Sequence, residues 1–360
     1  MKLRFLEVDI LKATAIILIV FCHLDNYVSN YELVRSFNGY YPSLIGLTIF
    51  FFISGFLLYQ TDSFINSIDD IKKFYIKKFM RIYPLYWVAL ASLVIIFGGL
   101  QINPGPVSPY NFSLNNLLIH FFGLQGIFPS YTIQSMWFVG VIVLFYLLYP
   151  IIVYLSKNLF ETFVASSLIL ILLGILHFFL GLIEINALTY FPIFISGIFI
   201  NRILYSPKII INKNLLKKIL FFYLIMIFMI FLVLEVYKFN NLNLQFLPQI
   251  LRISAENCIK ICAMISLCII YLIFTHLYIK IHGKIMLLIS LIAFATYAIY
   301  LFHHQFLAVF SLITDLIIQS IILQDLIILT FGFAGAILFG IIIQKIEQHL
   351  FMRYKLNHKR

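Results

Sequence analysis

The chain has 360 residues, of which 63% are hydrophobic and only 11% charged, with a mean hydropathy of +1.04. No water-soluble fold of this size hides so much apolar surface, so the class is all-α, a polytopic integral membrane protein. The net charge of +11 sits in short stretches between apolar runs; there the tendency of basic residues to collect on one membrane side accounts for it without nucleic acid.

Apolar runs predict about ten transmembrane helices, near residues 9–25, 44–60, 82–100, 136–155, 160–182, 186–204, 219–237, 258–279, 285–306 and 325–344. Two shorter pieces, 114–128 and 307–323, read as re-entrant or interfacial. Lys2 and Arg4 resemble the start of a signal peptide, but Glu7, Asp9 and Lys12 interrupt the apolar run behind them and Phe21 spoils a cleavage site, so the first helix is expected to stay. Placing both termini in the cytoplasm puts Lys72, Lys73, Lys77, Lys78, Arg81, Arg202, Lys208, Lys284 and the basic tail on one side, with Arg35, Lys238, Arg252 and Lys260 on the other. The outside loops are then 26–43, 101–135, 238–257 and 307–324. Neither a repeat nor an appended soluble domain is visible, so residues 1–360 read as one membrane domain.

The first helix carries the ionisable residues Asp9, Lys12 and His23. At about 100° per residue, the eleven steps from Lys12 to His23 return to nearly the same face while climbing roughly 16 Å. The two share a stripe yet lie at different membrane depths, and such a stripe is by default a functional-site candidate. In FYIKKFMRIYPLYW, Lys78 and Arg81 are three apart on the third helix and can face one polyanion at the level of Lys12, with Pro84 in the first turn; the plainer alternative is membrane-surface anchoring. Trp137 reads as an interfacial aromatic. Ser54 and Gly55 read as close helix packing. His303 and His304 read as a polar lining or interface site, because no carboxylate stands nearby to complete a metal site. The four cysteines, Cys22, Cys258, Cys262 and Cys268, read as packing residues, and no metal is expected.

The order of LEVDILKATAIILIVFCH, FFISGFLLY, KKFMRIYPLYW, SMWFVGVIVLFYLLYP and ATYAIYLFH resembles the membrane-bound acyltransferase family 3, the O-acyltransferases of surface polysaccharides and related glycans. The resemblance implies transfer of an acyl group from cytoplasmic acyl-CoA, most often acetyl-CoA, across the membrane to a hydroxyl of a carbohydrate acceptor. It implies that His23 is catalytic, as base or acyl relay, and that Lys12, Lys78 and Arg81 hold the coenzyme phosphates, with Asp9, Trp137 and His303 in support. Two positions depart from the family pattern: Lys12 and Lys78 stand where relatives carry arginine, which keeps the charge and gives up bidentate geometry. An acidic residue after the Trp is replaced here by Gly140, Val141 and Ile142. A passage joining the cations to His23 is expected. The alternative is a transporter or flippase for a glycan or lipid-linked sugar, its path lined by the same stripe.

Overall fold

The computed structural model describes residues 6–29, 41–63, 65–102, 112–129, 136–204 and 283–357. They form α1 (Leu6–His23), α2 (Tyr41–Asp62), α3 (Ile68–Leu93), α4 (Leu114–Phe121), α5 (Trp137–Leu155), α6 (Leu159–Leu180), α7 (Ile185–Leu204), α8 (Lys284–Ile317), α9 (Ile321–Ile327) and α10 (Phe333–Asn357), with no strand among them. Wider π turns carry α3 on to Gly99 and join α9 to α10. Among the described residues, six helical stretches are long and apolar enough to cross a membrane: Pro42–Asp62, Ile68–Gly99, Trp137–Leu155, Leu159–Leu180, Lys284–Ile317 and Ile321–Leu350. The predicted runs at 219–237 and 258–279 lie outside the described residues.

α1 is the central helix. It packs on α2 and on α8, and Leu11, Ala15, Ile16, Ile19 and Val20 are fully buried. A helix bearing Glu7, Asp9 and Lys12 is tolerable within an apolar bundle because its neighbours, rather than lipid, surround it. α2 comes very close to both α1 and α7. A Cβ built on Gly55 would stand 1.9 Å from the Phe194 carbonyl oxygen, and one on Gly197 would stand 2.1 Å from that of Phe52. Only glycine at both positions permits this approach, the small-residue packing expected of helices that gain nothing from burying apolar surface in lipid.

Two predicted boundaries are corrected. α3 begins at Ile68 rather than near 82, so Pro84 lies inside the helix and not in its first turn. The start is set by a capping box: the Ser67 hydroxyl accepts from the Asp70 N–H at 3.2 Å, and the Asp70 carboxylate accepts from the Ser67 N–H at 3.1 Å. Hydropathy could not see this start, because residues 68–81 are rich in charge. The second correction removes the outside loop at 307–324. α8 runs unbroken to Ile317, and three residues connect it to α9.

α4 folds back along α3. Phe112 lies beside Gly98, whereas Tyr83, Tyr86 and Trp87 donate hydrogen bonds to the carbonyls of Phe122, His120 and Phe121 at 2.8, 2.7 and 2.9 Å. The eleven residues from Trp87 to Gly98 span about 16 Å of helix, so the chain returns by roughly that depth. Leu114, Leu118, Phe121 and Phe122 are exposed on its outer surface.

α6 is capped at both ends. The Asn158 side chain accepts from the Glu161 N–H at 2.9 Å, and Gly181 closes the helix at φ +64. In the following turn Glu184 is buried, and burial raises its carboxyl from 4.5 to about 7, against the hydrogen bonds it accepts from Asn186.

Candidate active site

α1 and α8 lie side by side in the same direction. Lys12 and Ser290 face one cavity at one end of the pair, and His23 meets His303 at the other. The cavity measures about 940 Å³ and is lined by Lys12, Lys78, Arg81 and Lys345 together with Asp9 and Glu347. Four cations against two carboxylates leave a net positive lining of two. The three cations expected at one level line one cavity, and α10 adds Lys345, which the basic-residue count places in the tail. Ser54 of α2 faces the same space.

Lys78 is not held out freely for a ligand. Its ammonium lies 3.1 Å from the Asp62 carboxylate, which Lys77 also pairs with at 2.6 Å, and it sits over the rings of Phe74 and Tyr146 at 5.1 and 5.3 Å. Only 5% of Lys78 is exposed. Burying an ammonium requires such compensation. Arg81, by contrast, is exposed on the cavity wall.

On the His303 side the cavity is lined by Phe138 and Tyr300, whose ring centroids are 4.9 Å apart. His303 is one helical turn beyond Tyr300, about 4.5 Å further along the axis. His23 and His303 do not line the cavity, so among the described residues it does not continue to the histidines as the expected passage would. Trp137 stands one ring further back, stacked at 5.9 Å on Tyr190, and it does not touch the histidines through any described contact.

At His23 the structure brings together three imidazoles. His23 Nδ1 is 2.9 Å from His303 Nε2, and the ring centroids of His23 and His304 are 4.6 Å apart. His303 and His304 are 1% and 8% exposed. The proton positions follow from the partners. His303 Nδ1 lies 2.7 Å from the Tyr300 carbonyl oxygen, which only accepts, so this nitrogen carries the proton and Nε2 carries a lone pair. His23 must then donate from Nδ1 to that lone pair, which leaves His23 Nε2 unprotonated. Tyr27, in the short 3-10 turn after α1, closes the group with its hydroxyl 2.7 Å from His304 Nδ1 and donating to the His304 carbonyl at 3.1 Å.

Sequence reading named both His23 and His303 without identifying the partner of His23. The partner is His303, 280 residues away. It missed the roles of His304 and Tyr27. Of the other histidines, His177 Nδ1 hydrogen-bonds the Ile183 carbonyl at 2.7 Å, and His276 and His282 lie outside the described residues.

Neither the curated proteins nor the solved structures contain a match to this chain. A family model described as an acyltransferase domain does match, over residues 5–345. That stretch contains α1, the four cavity cations and all three imidazoles, and by it the chain belongs to acyltransferase family 3, the membrane acyltransferases.

Proposed function

We propose that the protein moves an acyl group, acetyl in the simplest case, from acyl-CoA held in the cation-lined cavity to a hydroxyl of a glycan or glycolipid presented at the His23 end. The observation that carries this reading is the division of α1: at one end Lys12 joins Lys78, Arg81 and Lys345 around a cavity, and at the other an imidazole holds a bare Nε2. A cluster of cations suits a phosphate-rich coenzyme, for which Arg81 offers a planar pair of donors. In this reading the cavity opens to the cytoplasm, where the coenzyme resides. Occupation of the phosphate site by the coenzyme draws Lys78 from Asp62, and Lys77 retains the carboxylate.

The acyl-bearing pantetheine arm is narrow, and it reaches His23 once Tyr300 or Phe138 turns aside. His23 Nε2 takes the proton from the acceptor hydroxyl as its oxygen attacks the thioester carbonyl; the carbon–sulfur bond breaks, and the proton passes to the departing thiolate. A neutral imidazole is suited to this proton transfer near pH 7. His303 acts as a positioning residue, holding the proton of His23 on Nδ1 so that Nε2 stays available. A whole sugar would need a far wider opening than one ring turning aside supplies, which argues against the transporter alternative.

The test is His23→Ala in native membranes supplied with labelled acetyl-CoA and the cell's own surface glycan. Ester transfer is expected to vanish while the amount of protein in the membrane stays unchanged. Undiminished transfer would remove His23 from the chemistry.

A further inference from the structure

We propose that His23, His303 and His304 form a binding site for a divalent transition-metal ion of the zinc type, and that its occupancy switches off proton abstraction by His23. The second half rests on the function proposed above; the first does not.

Each of the three rings offers one nitrogen, and all three lie within 4.8 Å of one another, with His303 and His304 buried. Two of the rings already have the outer partners that metal-bound histidines use. His303 Nδ1 is fixed by the Tyr300 carbonyl and His304 Nδ1 by the Tyr27 hydroxyl, which leaves Nε2 of each for an ion. His23 Nδ1 and His303 Nε2 are 2.9 Å apart. Nitrogens bound to one tetrahedral ion at about 2.0–2.1 Å each are separated by roughly 3.3 Å, so insertion opens this pair by only a few tenths of an ångström. Bringing His304 in takes a further shift of the order of 1 Å from the present spread. The donor set selects the ion. Three neutral imidazoles with no oxygen donor suit zinc, cobalt or copper and not magnesium or calcium, and three ligands leave a fourth position open.

Occupancy and base function exclude one another through a single proton. In the free site His23 carries its proton on Nδ1, and Nε2 is bare. An ion bound to Nδ1 takes that lone pair, so the proton sits on Nε2, the atom that must accept from the acceptor hydroxyl. The carboxylates expected of a metal site are not needed here. Sequence reading set a metal aside because no carboxylate stands near His303 and His304 in the chain, and the packing of α1 on α8 provides His23 instead.

The experiment uses the full chain in lipid nanodiscs, carrying a tag without histidines, titrated with Co²⁺ and followed by the visible absorption of the tetrahedral ion. One Co²⁺ per chain is expected, displaced by Zn²⁺, and lost in both His303→Ala and His304→Ala at unchanged size-exclusion profile. Tyr27→Phe keeps all three ligands and removes one outer partner, so its affinity should fall by about ten- to a hundredfold. Absence of the tetrahedral spectrum, or a spectrum indifferent to His304→Ala, overturns the site. A parallel assay of acyl transfer should show inhibition by Zn²⁺ that a chelator reverses, with the half-inhibiting concentration raised ten- to a hundredfold in Tyr27→Phe. Binding without inhibition would overturn the switch and leave the site. A chain that binds Co²⁺ but transfers no acyl group at any zinc level would instead refute the enzymatic reading.

Discussion

Replacing His303 with alanine separates the positioning of the base from the base itself. The substitution leaves His23 in place and removes the Nε2 lone pair that receives its Nδ1 proton across 2.9 Å. Without that acceptor, the proton of His23 redistributes between its two nitrogens, and only the form with a bare Nε2 is active. A buried hydrogen bond between neutral groups contributes about 0.5–1.5 kcal/mol, so the ratio of active to inactive tautomer falls about two- to thirteenfold and the active population by less, about two- to fourfold. Losing the base altogether costs about 10²–10⁴. The expected ordering is therefore a kcat reduced about two- to fourfold in His303→Ala and at least about a hundredfold in His23→Ala, with KM for acetyl-CoA unchanged in both. His303→Gln restores an acceptor oxygen and should recover part of the loss. The assay is ester formation in membranes at varied acetyl-CoA. A His303→Ala enzyme with normal kcat and raised KM would refute the argument, since a residue lining the coenzyme path, and not one orienting a base, would behave that way.

Arg81→Ala should raise KM for acetyl-CoA about tenfold with kcat kept, the lower end of what a charge-assisted hydrogen bond is worth because Arg81 is exposed; a change confined to the acceptor side would contradict its assignment. Glu184→Gln should flatten the pH dependence of thermal stability. Because burial raises this carboxyl from 4.5 to about 7, the folded protein binds more protons than the unfolded chain between those values. Stability accordingly falls as pH rises through that window, by up to about 3 kcal/mol, and melting curves at pH 5 and 8 measure it. Gly197→Ala places a methyl carbon 2.1 Å from a carbonyl oxygen that cannot rotate away. It should cost about 3 kcal/mol, the upper part of the overpacking range, and appear as a lower melting temperature in detergent.

Much of the bundle was legible from apolar run length, because a lipid-crossing helix must be long and greasy whatever it packs against. The starts and ends were less so. Residues 68–81 form a charged extension of α3 whose signal is the Ser67–Asp70 cap, a polar motif that a hydropathy scan passes over. α8 outruns its prediction because nothing between Leu307 and Ile317 breaks a helix. Within the site, the shared stripe of Lys12 and His23 came from periodicity alone, and both ends of it face something chemical. The partners did not follow from sequence. That Asp62 would take Lys78, that Lys345 would close the cavity, and that His303 would reach His23 are facts about which helices neighbour which, and spacing within one helix carries no such information.

The contact between Phe138 and Tyr300 matters beyond catalysis. A protein with a wet shaft from one face of a bilayer to the other would drain the ion gradients that the cell spends energy to build. Two aromatic rings at 4.9 Å leave no room between them for a hydrated sodium ion or a file of waters. If this bundle hands an acyl group across, it does so as an airlock does, with the greasy donor arm itself plugging the gap it opens, so that chemistry crosses the insulating layer while current does not.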